Sequence, residues 1–401
     1  MSDETNQPED LEPAPESFPP ELLAQPVGAC LEYFEQRCLI SHPRLQEALE
    51  TIIQAICPPG EGASMRRPGT MILVIGPSRV GKTTLIRLLE EQLLAKSKAL
   101  MASNPSFIPF ASILAVGPGT NRFEWAEYYR AVLRALHDPF VDGKIARIRT
   151  RELCEAMETA LLERKPLAII VDEAHHLAEA SRMSRLQSQL NHLKHFENAT
   201  GVSHILVGTY EMRPFRKVNA QLACRSVDVH FPRYDASIDQ DAQVFQSVVW
   251  ALQRHLPVEK EPPLVDHWEF LYARSIGCVG LMKMHLNRAL NLALTEKAKT
   301  VTLTHLRNTA MPEARVEAAL RNALESEAEL MESDGADERL LTLLGLRGSH
   351  TAKQSNTQTN ESSPSPKKPD RPGKRSPGRD TIGQEPDKDS SKPLSGEEKA
   401  G

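Results

Sequence analysis

Residues Gly76 to Thr83, Gly-Pro-Ser-Arg-Val-Gly-Lys-Thr, constrain the fold of this chain more than any other stretch. They follow a short apolar run, Met71 to Ile75, that is typical of a buried strand. They precede Thr84 to Leu89, whose apolar spacing is typical of a helix with one apolar face. The pattern G-x-x-x-x-G-K-[ST] between a strand and a helix predicts a phosphate-binding loop.

The chemistry of such a loop assigns a role to each part of it. Glycines allow backbone N–H groups to turn toward the β-phosphate, and the helix N-terminus adds the positive end of its dipole. We expect Lys82 to reach the β- and γ-phosphates of ATP, and the Thr83 hydroxyl to take a position on Mg²⁺. A chance match in a glycine-containing turn is the alternative. The predicted nucleotide-binding residues are Gly76, Pro77, Ser78, Arg79, Val80, Gly81, Lys82, Thr83 and Thr84.

A second apolar run, Leu167 to Val171, ends in the carboxylates of Asp172 and Glu173, as a central parallel strand does. We expect Asp172 to hold Mg²⁺ through its water shell and Glu173 to act as general base on the attacking water. A nucleotide kinase does not need the second acid, so the pair favours hydrolysis of a nucleoside triphosphate. The alternative is that both residues cap the next helix. His175 and His176 are predicted to start that helix rather than bind a metal.

Composition limits the possible classes of this 401-residue chain. No apolar run approaches 18 residues, so no membrane span is expected. The acidic N-terminus lacks a signal-peptide pattern, which predicts a cytoplasmic protein. The six cysteines show no CxxC spacing and are expected to be reduced thiols. With a net charge of −5, any DNA site must be a local basic patch.

The order of patterns predicts an α/β fold, a P-loop parallel sheet flanked by helices, followed by an α-helical lid. Strand patterns at 71–75, 107–115, 167–171, 203–208 and 227–231 alternate with helical patterns at 82–96, 122–136, 146–164 and 180–198. The predicted segments are an acidic disordered leader at 1–19, a helical segment at 20–69, the α/β core at 70–236, the lid at 237–346 and a basic disordered tail at 347–401.

Three further positions stand where an ATPase site needs polar groups. Thr209 follows the predicted strand at 203–208, Arg225 precedes the strand at 227–231, and Lys283 lies near the start of a lid helix. Taken singly, they are equally typical of a capping threonine, a surface arginine and a surface lysine. Roles for these three residues follow from a family resemblance, through their positions relative to the predicted strands and helices.

The order of phosphate-binding loop, Asp-Glu strand, polar strand end, pre-strand arginine and helical lid resembles the AAA+ ATPases. More narrowly, the His-Pro of the leader and the stretches VIGPSRVGKTTL, IIVDEAHHL and ILVGTYEM resemble the TniB/TnsC family of ATP-dependent transposition regulators. The resemblance covers about residues 28–330. It implies that Thr209 is sensor one, that Arg225 is an arginine finger reaching a neighbour's γ-phosphate, and that Lys283 stands at sensor two, where an arginine is usual.

An arginine finger implies active sites completed between copies, and head-to-tail contacts close into rings or extend as helical filaments. DNA contact is predicted at the basic run 142–151. If that run is helical, Lys144, Arg147 and Arg151 share one face and can follow DNA phosphates without reading sequence. A solvated helix face is the alternative. The predicted DNA-binding residues are Asn121, Arg122, Lys144, Arg147, Arg149 and Arg151.

Three function classes remain open at this point. The first is an oligomeric ATPase that binds double-stranded DNA, responds to a target-selecting protein and activates a transposase in the bacterial cytoplasm, at the nucleoid. The second is an AAA+ initiator or loader that places another machine on DNA. The third is a signalling ATPase without nucleic acid, against which the basic run argues.

Overall fold

The computed structural model describes residues 17–57, 69–115, 117, 123–138, 148–179, 183–217, 226–330, 341–344 and 346. The chain divides into two compact units, Met1–Ser333 and Asp334–Gly401. The first unit holds the sheet and all the long helices of the described residues. In the second, residues 341–343 form a short helical turn. The predicted tail at 347–401 and most of the leader at 1–19 lie outside the described residues.

A parallel sheet of five strands forms the centre of the first unit, in the order β2-β3-β4-β1-β5. Each strand lies parallel to its neighbour in register, with Met71 opposite His204 on one side of β1 and Ser226 on the other. The strands are β1 Met71–Ile75, β2 Phe110–Leu114, β3 Ala168–Asp172, β4 Ser203–Gly208 and β5 Ser226–His230. All five predicted strands are therefore confirmed.

Helices surround this sheet and form the C-terminal part of the unit. They are α1 Val27–Glu32, α2 Pro43–Ile56, α3 Lys82–Ser103, α4 Trp125–Ala135, α5 Thr150–Arg164, α6 His176–Glu179, α7 Met183–Thr200, α8 Arg213–Lys217, α9 Asp239–Arg254, α10 Trp268–Ser275, α11 Val279–Thr295, α12 Leu303–Thr309 and α13 Glu313–Leu330. In the described residues, no helix is long and apolar enough to span a bilayer.

Alternate strand residues point to opposite faces of the sheet and build two separate apolar clusters. Leu73 and Val171 belong to the cluster that includes α4, α5 and α7, which we call the α7 face. Val74 and Ile170 belong to the cluster that includes α2 and α3, which we call the α3 face. Both faces are covered over the inner strands β1, β3 and β4, so these three are mostly buried apolar runs, whereas the edge strands β2 and β5 are partly exposed.

The lid helices enclose a third apolar cluster of their own. Its fully buried side chains include Phe245 of α9, Leu286 and Leu290 of α11, and Phe34 of the N-terminal helical segment. The N-terminal segment predicted to be helical contains α1 and α2, with a break between them. His42 has extended backbone angles and Pro43 opens α2, because a residue before proline is disfavoured in helical conformation.

Candidate nucleotide-binding site

The predicted phosphate-binding loop connects the fully buried central strand β1 to α3. Gly76 leaves no room for a side chain, since a Cβ there would lie 2.2 Å from the carbonyl oxygen of Phe231. Gly81 has φ +124°, a conformation that side chains other than hydrogen strongly disfavour. Both pattern glycines are thus required by backbone geometry, and the loop that they form ends directly at the N-terminus of α3.

Lys82 is the first residue of α3 and turns back over the loop. Its Nζ atom donates to the carbonyl oxygens of Gly76 at 3.2 Å and Pro77 at 2.8 Å. Burial lowers the pKa of Lys82, and the charges of Glu173 and Asp172 oppose that shift. The ammonium group therefore lies within electrostatic range of both predicted catalytic acids, at the place where phosphate charge would be received.

Asp172 is the last residue of β3, and Glu173 opens the turn that follows it. The backbone N–H of Glu173 donates to Asp172 Oδ1 at 2.8 Å. Burial raises the pKa of Asp172, while that hydrogen bond and Lys82 act in the opposite direction. Glu173 has φ +53°, which strains any residue other than glycine and is typical of functional sites.

The Mg²⁺ ligands predicted from the sequence are chemically suited to that ion. Asp172 offers a half-buried carboxylate whose ionised form a divalent cation would favour, and Thr83 offers an exposed hydroxyl. Mg²⁺ prefers oxygen ligands and binds through one or two carboxylates together with substrate phosphates. Within the described residues, no group of three or more His, Cys, Asp and Glu residues could hold a metal ion by itself.

Thr209 follows β4, the neighbour of β3, and caps the short 3₁₀ turn Tyr210–Met212. Its hydroxyl donates to Glu211 Oε2 at 3.4 Å. The carboxyl ends of adjacent parallel strands meet at one edge of a sheet, so Thr209 lies on the same edge as Asp172 and the phosphate-binding loop. Its predicted role as sensor one agrees with this position and stays a prediction.

His175 connects these residues, a role that the sequence alone did not indicate. Its Nδ1 lies 3.1 Å from Glu173 Oε2, and its Nε2 lies 3.7 Å from Glu211 Oε2. His175 is 9 % exposed. Its ring lies between the carboxylates of Glu173, the predicted general base, and Glu211, the partner of Thr209. The prediction of a helix-start position is nearly correct, since α6 begins at His176. The link to Glu173 depends on the turn after β3, which no sequence period reveals.

The structure differs from the prediction for Lys283. Its Nζ atom donates to the backbone carbonyl oxygens of Cys38 at 2.6 Å and Glu35 at 2.9 Å, at the end of the leader helix. The ammonium group satisfies carbonyls that a helix end leaves without partners, so it fixes the leader to α11 rather than pointing to the phosphate-binding loop. The sensor-two position inferred from the resemblance is corrected accordingly.

Gly280 of the lid, rather than Lys283, contacts the phosphate-binding loop. A Cβ on Gly280 in α11 would lie 2.4 Å from the carbonyl oxygen of Arg79. A Cβ on Gly277, which has φ +77°, would lie 2.0 Å from the carbonyl oxygen of Tyr234. The lid thus approaches both the loop and the segment after β5 backbone to backbone.

The basic run predicted to contact DNA is only partly described. Helix α5 begins at Thr150, and Arg149 at its N-cap is extended, with φ −70° and ψ 146°. Arg151 therefore does not share one continuous helix with the residues before Arg149, and DNA contact by this run stays a prediction. Arg151 is exposed and pairs with Glu155 at 2.8 Å. The predicted residues Asn121, Arg122, Lys144, Arg147 and Arg225 lie outside the described residues.

Comparison with known families identifies the core. Residues 65–215 match an AAA domain, a stretch that includes the loop, both catalytic acids and Thr209. This match supports a P-loop ATPase of the AAA+ class, and the parallel sheet flanked by helices confirms the predicted fold. No curated protein sequence matches the chain.

Three solved structures with a partly similar course of the chain are the following. The Aeropyrum pernix ORC2 protein in ADPNP–ADP complexes is 14% identical, with 72% of each chain covered and a TM-score of 0.49. Cdc6p from Pyrobaculum aerophilum is 14% identical, with 68% of this chain and 67% of that one covered and a TM-score of 0.48. Drosophila ORC bound to DNA is 14% identical, with 86% and 88% covered and a TM-score of 0.42.

Proposed function

We propose that this chain is an AAA+ ATPase that assembles on double-stranded DNA in an ATP-dependent manner and regulates DNA transposition. The observation that carries the ATPase part is the convergence of Lys82, Asp172 and Glu173 at the carboxyl ends of β1 and β3. A lysine from a phosphate-binding loop beside two carboxylates is the arrangement that hydrolysis of a nucleoside triphosphate requires.

Each group has a defined task in this proposal. Lys82 leaves the loop carbonyls and binds the β- and γ-phosphate oxygens. Thr83 and Asp172 hold Mg²⁺, which neutralises charge on the phosphate oxygens when it is bound. Glu173 accepts a proton from the attacking water at its carboxylate, and His175 Nδ1 lies 3.1 Å from that carboxylate in the turn after β3. Thr209 orients the water from the neighbouring strand end.

Head-to-tail assembly follows from the proposed role of Arg225. The γ-phosphate lies at the edge of one copy, so an arginine from a second copy completes the site. ATP then favours the assembled form because it binds that form more tightly, and hydrolysis removes the preference. Sequence-independent DNA contact is assigned to the loop and basic run containing Asn121, Arg122, Lys144, Arg147, Arg149 and Arg151.

The transposition role rests on the motif resemblance to TniB/TnsC regulators. We propose a transposase and a target-selecting protein as partners, in the bacterial cytoplasm at the nucleoid. An initiator or loader that places a different machine on DNA is the second candidate, because the same ATPase core serves both. A strand-transfer reaction with a transposase encoded beside this gene separates them: stimulation by this chain supports the first, and no stimulation supports the second.

Two variants test the proposed ATP binding, ATP hydrolysis and assembly. We expect Lys82→Ala to weaken ATP binding about 100-fold, because it removes a charge-assisted contact to phosphate, and to abolish assembly on duplex DNA. Glu173→Gln should keep ATP binding but lower the turnover rate by about 10² to 10⁴ and trap assembled protein. Nucleotide titration, phosphate release and sedimentation with duplex DNA measure the three effects.

Lys98→Ala is the matched control, because Lys98 is an exposed lysine on the same helix. It should leave all three measurements at their original values. Assemblies of Glu173→Gln that dissociate as fast as those of the original protein would contradict the general-base role. ATP hydrolysis by a monomer, independent of DNA, would contradict the assembly.

A further inference from the structure

Helix α13 crosses from one face of the sheet to the other. Val316, Ala319 and Leu320 in its first half pack against the α3 face. Ala323 and Leu330 in its second half pack against the α7 face. These residues recur at helical spacing and form one stripe, so a single continuous helix passes over an end of the sheet.

Polar contacts show which end of the sheet it passes. Glu327 accepts a hydrogen bond from the hydroxyl of Tyr210 at 3.3 Å and pairs with Arg233 at 3.3 Å. Tyr210 follows β4 and Arg233 follows β5. Glu329 pairs with Arg213, at the start of α8, at 3.2 Å. Helix α13 therefore lies over the carboxyl ends of the strands, which is the edge that carries the phosphate-binding loop.

This position covers the turns next to the catalytic residues. Tyr210 is the neighbour of Thr209 in sequence. Ala174 is the neighbour of Glu173, and it belongs to the same buried cluster as Ala323. An arginine from a second copy has to approach the γ-phosphate at this edge, where helix α13 already contacts the turns.

The contacts of α13 are of a kind that separates readily. On its 18 residues only Ala323 and Ser326 are buried, whereas α11 buries Met282, Leu286 and Leu290 completely. Burial of a small side chain gains much less free energy than burial of leucine or methionine. Its ion pair between Glu329 and Arg213 is partly exposed and contributes little, so the buried pair between Glu327 and Arg233 is the main polar contact that has to open.

We propose that α13 is an intramolecular strap: it covers the surface after β4 and β5 that a second copy of this chain must reach, and assembly displaces it. This inference rests on the proposed head-to-tail assembly. The strap sets a threshold, because a second copy binds only the fraction of molecules whose strap has opened. If that fraction is about 1–10 %, loss of the strap lowers the concentration of half-assembly about 10- to 100-fold.

Two neighbouring residues of α13 offer a matched test in the full chain. Ala323→Glu places a charge in the buried contact and should lower the half-assembly concentration, measured by sedimentation with duplex DNA and a slowly hydrolysed ATP analogue. Leu324 is 48% exposed on the outer side of the same helix, so Leu324→Glu should match the original protein. A half-assembly concentration for Ala323→Glu that is equal to or above the original would overturn the strap.

If Ala323→Glu folds poorly, a second set of variants that exchanges the charges of Glu329 and Arg213 tests the strap. Glu329→Arg and Arg213→Glu should each lower the half-assembly concentration by about two- to five-fold, the range that one partly exposed ion pair can account for, and the double variant should return assembly to the original concentration. Single variants that assemble like the original protein would refute the strap while leaving the proposed function intact. If the original protein and every variant stay monomeric with ATP analogue and DNA, both the proposed assembly and the strap are wrong.

Hydrogen exchange provides an independent measurement on the original protein. Backbone amides of residues 313–330 should exchange faster in the assembled form than in the monomer, because displacement removes their cover. Equal or greater protection of this helix on assembly would mean that it stays docked, which contradicts the proposal.

Discussion

Two junctions join the C-terminal helices to the α/β core, and they consist of opposite kinds of contact. In the first, Gly277 and Gly280 bring the lid backbone against the carbonyl oxygens of Tyr234 and Arg79. We call this the glycine junction. The closest approaches at this junction are between backbone atoms, and the first of these glycines has φ +77°.

The second, which we call the ion-pair junction, joins α13 to the turns after β4 and β5. Glu327 contacts Arg233, and Glu329 contacts Arg213. Arg233 is 5 % exposed, so this junction includes one buried charge pair beside one that is partly exposed.

The difference indicates how the lid can be both fixed and movable. Backbone packing at the glycine junction tolerates almost no displacement, because close-packed atoms repel steeply. Charged side chains at the ion-pair junction can exchange protein partners for water. The part of the lid that contacts the phosphate-binding loop is therefore the rigid one, and α13 is the part that can separate.

The largest expected effect is at the glycine junction. Gly277→Ala combines a left-handed backbone with a Cβ 2.0 Å from a carbonyl oxygen. It should lower the free energy of unfolding by about 3–4 kcal/mol, the sum of conformational strain and overpacking. Urea unfolding measures this change. Gly28 in α1 has open space around it, so Gly28→Ala is the control and should change stability by at most about 1 kcal/mol. A cost for Gly277→Ala below 1 kcal/mol would contradict the rigid junction.

The buried pair of the ion-pair junction should show an asymmetry. Glu327→Leu leaves Arg233 buried without its main partner and should cost about 2–3 kcal/mol. Arg233→Met should cost about half as much, because burial already raises the pKa of Glu327 and the carboxyl can take up a proton. Urea unfolding at neutral pH compares the two variants. Equal costs would show that the pair contributes by packing rather than by charge.

A smaller effect should appear at the glycine junction in acid. Tyr234 also bonds through its hydroxyl to His42 Nδ1 at 2.8 Å, and burial together with Arg44 lowers the pKa of His42 to about 4. The folded chain therefore favours neutral His42, and the unfolded chain binds the proton first. This stability is fully present above about pH 6.5, decreases as pH falls toward 4, and is reduced by about 2 kcal/mol at pH 5.

Unfolding at pH 7.5 and pH 5 measures this change, with His42→Gln for comparison. The variant cannot titrate, so its stability should vary less between the two pH values by about 2 kcal/mol. An identical pH dependence of variant and original protein would place the acid-sensitive group elsewhere in the chain.

Local patterns predicted where the loop, the strand before it and the two acids lie in the fold. The phosphate-binding loop, the strand before it and the acids at the end of β3 each depend on residues adjacent in sequence. Gly76 and Gly81 illustrate this. A Cβ on Gly76 would clash with a carbonyl oxygen, and Gly81 has φ +124°, so both positions require glycine. The strand positions followed from apolar runs, because both faces of the sheet are covered.

Predictions that needed contacts between distant segments were incomplete or wrong. Lys283 was assigned to the nucleotide by position, whereas the carbonyls at Glu35 and Cys38, almost 250 residues earlier, bind its ammonium group. A shared face of the basic run was predicted on condition that residues 144–151 formed one helix, and the extended Arg149 interrupts such a helix.

The sequence alone determined that this chain has a phosphate-binding loop, a pair of acids at a strand end and an α/β core followed by a helical lid. These features arise from short-range geometry and periodicity, which a few adjacent residues specify. Only the tertiary structure decided that Gly280 of the lid contacts the phosphate-binding loop, and that α13 contacts the turns after β4 and β5. Those contacts join segments far apart in the chain, and their pairing depends on how the whole unit packs.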